Sequence, residues 1–392
     1  MQILWLASWY PDFYEPANGD FIERHAIAVS KIIQVDLIHV VQAGADINTN
    51  EDFVHSKKGN LREFVYSFSF QKWGWSWADK MRYNIYFIFY YQRILNKYAS
   101  QFGKPDLIHV HVPMKAGILA IEFSDRWKIP FIVSEHSSMY DTVAADNFFR
   151  RSYFFRSNTK KIFQKASAVT NVSAAIGKKT EKLFGLKKTE IIHNVVDTAR
   201  FNYQPKKEKN VFRWLHVSSL YPLKNVEGIV EAFTLLNLIR QDWELIIVGN
   251  ASQQLSNQVY KNGLSNKIKF IRELKHEDVA IQMQASSALV LFSRHENFPC
   301  VIIEALCCGL PVVSSNVGGV SEAINETNGL LVESGNVEAL KNAFINMMDN
   351  YYQYNQTQIS IHASKKYSEE VIGAQFVNLY AQVIANFSSN NK

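Results

Sequence analysis

Apolar runs and amphipathic stretches alternate along the whole chain. Runs rich in Val, Ile, Leu and Trp predict buried strands at residues 2–8, 35–41, 107–110, 131–133 and 168–171. In the second half they predict strands at 214–218, 244–248, 267–271, 288–292 and 312–314. Stretches with helical spacing lie between them, among them 21–26, 226–238 and a helix closing at Gly309-Leu310-Pro311. Near-continuous apolar strands are covered on both faces, and strands alternating with helices build parallel βαβ units. The pattern breaks near residues 194–209, where Asp197, Pro205 and a run of lysines fall. The expectation is two α/β domains, 1–194 and 195–367, with a last helix at 368–384 and a frayed tail at 388–392. A chain of 392 residues suits two domains of roughly 170–200 better than one. Neither half contains a full Gly-x-Gly-x-x-Gly after a strand, which argues against a nicotinamide dehydrogenase.

Composition narrows the picture. Hydrophobic content of 47% supports sizeable cores. The three cysteines, Cys300, Cys307 and Cys308, crowd into one segment and cannot form a disulfide framework, which fits a reducing cytosol. Met1 to Leu6 is apolar, but no basic region precedes it and no small-residue cleavage site follows, so it reads as a strand and not a signal peptide. No apolar run reaches the ~18 residues of a membrane span; residues 85–91 come nearest, and Gln92-Arg93 ends them.

The net charge of +6 is concentrated: between Phe148 and Lys188 stand eleven Lys/Arg against one acid, Glu181. Such a region implies an anionic partner. Without a nucleic-acid-binding module in the chain, an anionic membrane surface or a phosphorylated lipid fits better than nucleic acid. Aromatic rings are interleaved with cations, both at Trp73, Trp75 and Trp77 ahead of Lys80 and Arg82, and at Phe148 to Arg156. Two readings stand for the tryptophans: rings of the first core, or a lipid headgroup interface.

The chemistry gathers in His295-Glu296-Asn297-Phe298-Pro299-Cys300-Val301-Ile302-Ile303-Glu304-Ala305-Leu306. Two carboxylates frame a Phe-Pro corner between an apolar strand and an apolar helix. The first helical N–H groups, near Cys300 and Val301, favour an anion. Acids beside an anion site suit hydroxyl groups, and a diphosphate between two hydroxylated rings is a nucleotide sugar. Glu304 lies in an apolar stretch that would rarely bury a carboxylate without a purpose. Lys224 precedes the helix at 226–238, where the dipole disfavours a cation unless an anion shares the site.

This pattern, Glu-x7-Glu with Phe at the third position and then Glu-Ala-Leu-x-x-Gly-x-Pro-Val-Val, resembles the retaining glycosyltransferases of family 4. The resemblance covers nearly the whole chain, including Asn18-Gly19-Asp20-Phe21, Pro105 to His111, Ile132 to Ser137 and Ser218 to Asn225. It implies the GT-B fold, two Rossmann-like parallel-sheet domains facing a central cleft, with donor on the second domain, acceptor on the first and the last helix, 368–384, packing back on the first. It further implies that Glu296 contacts the donor sugar and Glu304 the ribose. Asn297 and Phe298 would offer backbone N–H groups to the sugar, and Lys224 would hold the UDP- or GDP-linked diphosphate. Gly19 corresponds to a glycine loop that a diphosphate approaches, and His136 to a histidine lining the cleft. Ser219 stands where the family has an arginine, leaving Arg294 or Arg272 as replacements.

No Asp-x-Asp motif is present, and no metal is expected. His109 and His111 lack further ligands at zinc-like spacing. The activity expected is a retaining hexosyltransferase acting on a glycan or lipid-linked acceptor in surface polysaccharide or lipopolysaccharide synthesis. It would lie in the cytoplasm, peripheral on the inner face of the membrane. Alternatives are a GT-B nucleotide-sugar epimerase and a non-catalytic nucleotide-sugar-binding subunit.

Overall fold

The computed structural model describes residues 1–42, 53–141, 147–205 and 211–390. The lysine run after Pro205 and the end of the 388–392 tail lie outside the described residues. The chain divides into two compact units. The first takes residues 1–172, 176–193 and the final helix from Glu369; the second takes Ser173–Ala175 and Asn194–Ser368.

The division differs slightly from the sequence expectation, for a local reason. Val196 pairs with Ser368 as in a parallel strand, and its N–H donates to the Tyr367 carbonyl at 2.8 Å. That bridge keeps Ser368 in the second unit. The final helix, Glu369–Asn390, runs past the expected end at 384. Ser388 and Ser389 donate to the carbonyls of Ile384 and Ala385, so the described part of the tail is helical and not frayed.

In the first unit the strands are β1 (Gln2–Ala7), β2 (Gln34–Gln42), β3 (Phe53–Lys58), β4 (Leu61–Phe68), β5 (Leu107–His111), β6 (Phe131–Glu135), β7 (Ala168–Asn171) and β8 (Glu190–Ile191). Their order is β3-β4-β2-β1-β5-β6-β7-β8, and β3 alone is antiparallel to its neighbour. In the second unit β9 (Phe212–Val217), β10 (Trp243–Val248), β11 (Ile268–Ile271), β12 (Ala288–Leu291), β13 (Val312–Ser315) and β14 (Gly329–Val332) form a parallel sheet in the order β11-β10-β9-β12-β13-β14. The two parallel α/β domains expected from the pattern are therefore present, and all ten expected strands occur. Strand order reverses between β1 and β5 in one unit and between β9 and β12 in the other. Open α/β sheets bind ligands at such points, outside the strand carboxyl ends.

One of the two readings of the tryptophans falls away. Trp73, Trp75 and Trp77 are 70%, 70% and 69% exposed, so they are not core. The helix that follows, Ser76–Phe102, buries Phe87, Tyr90, Tyr91, Ile94 and Leu95 against the sheet. Its other face exposes Trp77, Met81, Ile85 and Phe89 at four-residue spacing, one line along a helix. Among the described residues no helix is long and apolar enough to cross a membrane.

Candidate active site

In the second unit two loops meet at the switch point. The loop after β9 carries Ser219 and the Pro222–Lys224 turn; the loop after β12 carries residues 292–299. Arg294 ties them together: its N–H donates to the Leu223 carbonyl at 2.7 Å and its guanidinium to the Pro222 carbonyl at 2.8 Å. Lys224 Nζ then lies 2.6 Å from Glu296 Oε1, which also accepts from Ser293 Oγ at 2.7 Å. Glu296 is buried, and its Oε2 has no protein donor among the described residues. Sequence reasoning gave Lys224 and Glu296 separate duties; the fold brings them into one ion pair.

The helix Cys300–Cys307 follows, entered through Pro299, with no capping side chain and no acid in its first turn. Cys300 and Val301, both half-buried, start it, and Glu304 is buried one turn on. Phe298 is an anchor: its ring is buried against Tyr367, and its carbonyl accepts from Asn194 Nδ2 at 2.7 Å. Asn297 gives its carbonyl to Gly319 N–H at 3.0 Å. Ser219 is exposed. Of the two arginines considered as replacements there, Arg294 serves the turn already described. Arg272 is exposed after β11 without an ion pair among the described residues.

Three further residues shape the site, and the sequence reading passed over them. Gly318 and Gly319 follow β13 so closely under the Glu296 loop that a Cβ on Gly318 would lie 1.6 Å from the Glu296 carbonyl oxygen. On Gly319 it would lie 2.3 Å from that of Asn297. A Gly-Gly pair two residues beyond a strand was the available signal. His216, buried in β9, donates from Nδ1 to the Val290 carbonyl at 3.0 Å and accepts at Nε2 from Ser218 Oγ at 2.8 Å. Ser218 Oγ in turn accepts from Leu220 N–H. Burial, with Lys224 adding to it, brings the His216 pKa down to about 4, so the ring is neutral and pins the start of the Lys224 loop. A cavity of about 430 Å³ elsewhere in this unit, lined by residues of the helix Gln356–Tyr367, includes none of Lys224, Glu296 and Glu304.

In the first unit Gly19 takes φ 69° at the start of the helix Asp20–Ser30. A Cβ there would meet the Trp9 carbonyl carbon at 2.7 Å, so the chain's own packing already demands glycine. His136 follows β6 and is buried, with Nε2 3.2 Å from His111 Nδ1 and its ring 4.9 Å from that of Phe21. Burial first, and nearby His25 second, hold its pKa well below the usual value, so it can donate or accept but carries no charge at neutral pH. His109 engages Tyr380 and Ser134 through its two ring nitrogens. Among the described residues no group of three or more His, Cys, Asp or Glu side chains could hold a metal ion. Glu135 turns into the loop and accepts from the N–H groups of His136 and Ser137 and from the Tyr140 hydroxyl. Burial outweighs those bonds and raises its pKa to about 7.

Two known family models match the chain. The model described as Glycosyl transferases group 1 matches residues 196–366, and that described as Glycosyltransferase Family 4 matches residues 51–200. The chain is 28% identical to an uncharacterized glycosyltransferase of Methanocaldococcus jannaschii over 62% of its own length and 66% of that protein's. It is 23% identical to a GDP-mannose-dependent phosphatidylinositol monomannoside mannosyltransferase of Corynebacterium glutamicum, over 57% of this chain and 64% of that one. The chain thus spans just under two thirds of these relatives. An Anabaena protein solved in complex with UDP superposes with a TM-score of 0.71 at 18% identity, over 97% of this chain and 100% of that one. The fold defines the class: a GT-B protein of two parallel α/β domains. More narrowly, the chain belongs to the family 4-like glycosyltransferases.

Proposed function

We propose that the protein is a retaining hexosyltransferase, moving a sugar from a UDP- or GDP-linked donor to a glycan or lipid-linked acceptor in surface polysaccharide or lipopolysaccharide assembly. The observation that carries this reading is the Lys224–Glu296 pair at the β9/β12 switch point, beside a helix start without a capping side chain and one turn from buried Glu304. The diphosphate would lie against Lys224 and the first amides of that helix. Glu304 would accept the ribose hydroxyls. Glu296 would use its open Oε2 for the donor sugar, with backbone N–H groups of Asn297 and Phe298 alongside. The bond from the anomeric carbon to the phosphate oxygen breaks, the acceptor hydroxyl adds from the same face, and its proton passes to the departing phosphate. Lys224 offsets the charge that develops, so neither a metal nor a protein base is assigned. His136 would give a hydrogen bond on the acceptor side. The UDP complex of the Anabaena protein and the donor and lipid in the Corynebacterium enzyme's name support this class of substrates. A thermal-shift panel of UDP- and GDP-sugars tests it. Saturation at 100-fold the dissociation constant stabilises by ~2.7 kcal/mol, and a flat panel overturns the reading.

The same proposal puts the protein on the cytoplasmic leaflet. The exposed line Trp77, Met81, Ile85 and Phe89 has only one acid on its helix, Asp79, and that residue is buried, accepting from the Trp73 and Gly74 N–H groups. Arg82 lies over the Trp73 ring. Exposed Arg150 and Arg156 belong to the basic region. Apolar rings with cations suit an anionic headgroup layer, each cation contributing at most ~1 kcal/mol. The protein should sediment with anionic vesicles at low salt, and substituting glutamine for Arg150, Arg151 and Arg156 should weaken this. Equal recovery on neutral vesicles would refute it.

A further inference from the structure

A cavity of about 340 Å³ opens at the other switch point, above the carboxyl ends of β1, β2 and β5 in the first unit. Its volume is at the lower end of ordinary small-molecule sites, about 300–1,000 Å³, and suits a single sugar unit. One wall is aromatic, made by Tyr83, Phe87 and Tyr91 of the helix Ser76–Phe102. Across the rings lies a cation. Lys115 Nζ is 3.9 Å from the Tyr83 ring centroid and 4.6 Å from that of Phe87. It forms no ion pair among the described residues. Burial, with Lys80 adding to it, lowers its pKa to about 8, the mark of an ammonium that has lost water without gaining an anion.

The acids nearby do not fill that role. Asp12 spends Oδ1 on the N–H groups of Tyr14 and Glu15 and Oδ2 on His39 Nε2. His39 in turn donates from Nδ1 to the Ala7 carbonyl. Glu15 is exposed at the rim. Lys115 also stands at the start of the helix Ala116–Trp127, whose first turn holds no acid. Its dipole therefore adds positive potential at the same point.

We infer that this cavity receives the acceptor's terminal sugar, and that this sugar carries an anionic group, carboxylate or phosphate, which pairs with Lys115. This deepens the transferase reading above and rests on it. An anion at Lys115 gains a Coulombic partner whose attraction is strengthened by partial burial. The aromatic wall would take the apolar face of the ring.

The test uses ligand-observed NMR on the full chain at pH 7, with methyl glucuronide, glucose 6-phosphate and methyl glucoside as probes. At least one anionic probe should bind about tenfold more tightly than the neutral one, the scale of one charge-assisted contact. Which anion binds better names the group. The preference should fall steeply by pH 9.5, where the free ammonium has lost its proton. Lys115→Met should abolish it and Lys115→Arg retain it. The pH series on the unaltered protein keeps the test decisive if Lys115→Met fails to fold. Equal binding of neutral and anionic probes, a preference that survives Lys115→Met, or no binding of any probe would overturn the inference. Calorimetry with UDP and GDP on the same samples separates the two levels. Nucleotide binding without anionic preference removes the Lys115 assignment alone, whereas no nucleotide binding removes the transferase reading itself.

Discussion

Replacing Lys224 with alanine removes the cation 2.6 Å from Glu296 Oε1. The glutamate side chain is 9% exposed and the lysine 26%, so the variant leaves a nearly buried carboxylate with Ser293 as its remaining donor. Breaking a buried pair costs about 3–5 kcal/mol, while exposed pairs contribute up to about 1. A quarter-exposed ammonium sits between, which gives about 1–3 kcal/mol for Lys224→Ala. Glu296→Gln removes the charge but keeps the shape and the bond from Ser293. Adding it to Lys224→Ala should restore most of the lost stability. Turnover obeys a different rule. Removing one preorganised charge stabiliser lowers it by about 10²–10³, and neutralising Glu296 cannot put a cation back on the phosphate. Urea unfolding and initial rates on the four proteins of the cycle read both quantities. The expected outcome is strong coupling in stability with no recovery of turnover. Recovery of turnover in the double variant would show that Lys224 serves only to neutralise Glu296, and would refute its role at the diphosphate.

Glu304→Ala should weaken nucleotide diphosphate binding by about 1–3 kcal/mol through unpaired hydroxyls, and unchanged calorimetric affinity would remove the ribose assignment. Turnover should survive EDTA; loss restored by manganese would defeat the metal-free mechanism. Stability should fall on acidification, because His25 and His216 are buried with pKa values brought down to about 4 from 6.5. The unfolded chain takes up their protons first, so stability is full above pH 6.5 and each site loses up to about 3 kcal/mol as pH drops toward 4. Glu135, raised to about 7, works in the opposite direction between pH 7 and 4.5 but is outnumbered, and urea midpoints that do not fall between pH 6.5 and 4.5 would contradict this balance. Gly318→Ala should disorder the Glu296 loop and abolish nucleotide binding while the first unit keeps its fold, checked by calorimetry and circular dichroism.

Most strands were legible because parallel central strands are apolar on both faces, and Ile3-Leu4-Trp5-Leu6 or Leu289-Val290 can hardly lie elsewhere. The strands that escaped break that rule. β4 carries Arg62 and Glu63, which look like surface residues but are paired in place. Arg62 makes two bonds to buried Asp36 at 2.5 and 2.6 Å, and Glu63 accepts from Tyr10 and Ser56 hydroxyls. β8 and β14 are short edges of two and four residues, too brief for any periodicity. Glycine was read through the ligand at position 19, whereas the backbone of Trp9 and Tyr10 fills the space its Cβ would need.

The site residues were visible one at a time, but their pairing was not. Lys224 and Glu296 are 72 positions apart and meet because β9 and β12 are neighbours, an adjacency set by strand order and absent from either local motif. The pairing changes the electrostatics of the site. A lone lysine at a helix start would be repelled by the dipole, and a lone buried glutamate would be pushed toward protonation. Together, at 2.6 Å, each offsets the other's penalty. Sharing Oε1 with Ser293 also fixes the carboxylate plane and leaves Oε2 open, so a hydroxylated ring can bind without displacing the lysine. On the proposed reading, a diphosphate at Lys224 would meet a cation already held in place by Glu296. Preorganisation of that kind is what a charge stabiliser needs to act more strongly on the departing phosphate than on the bound donor.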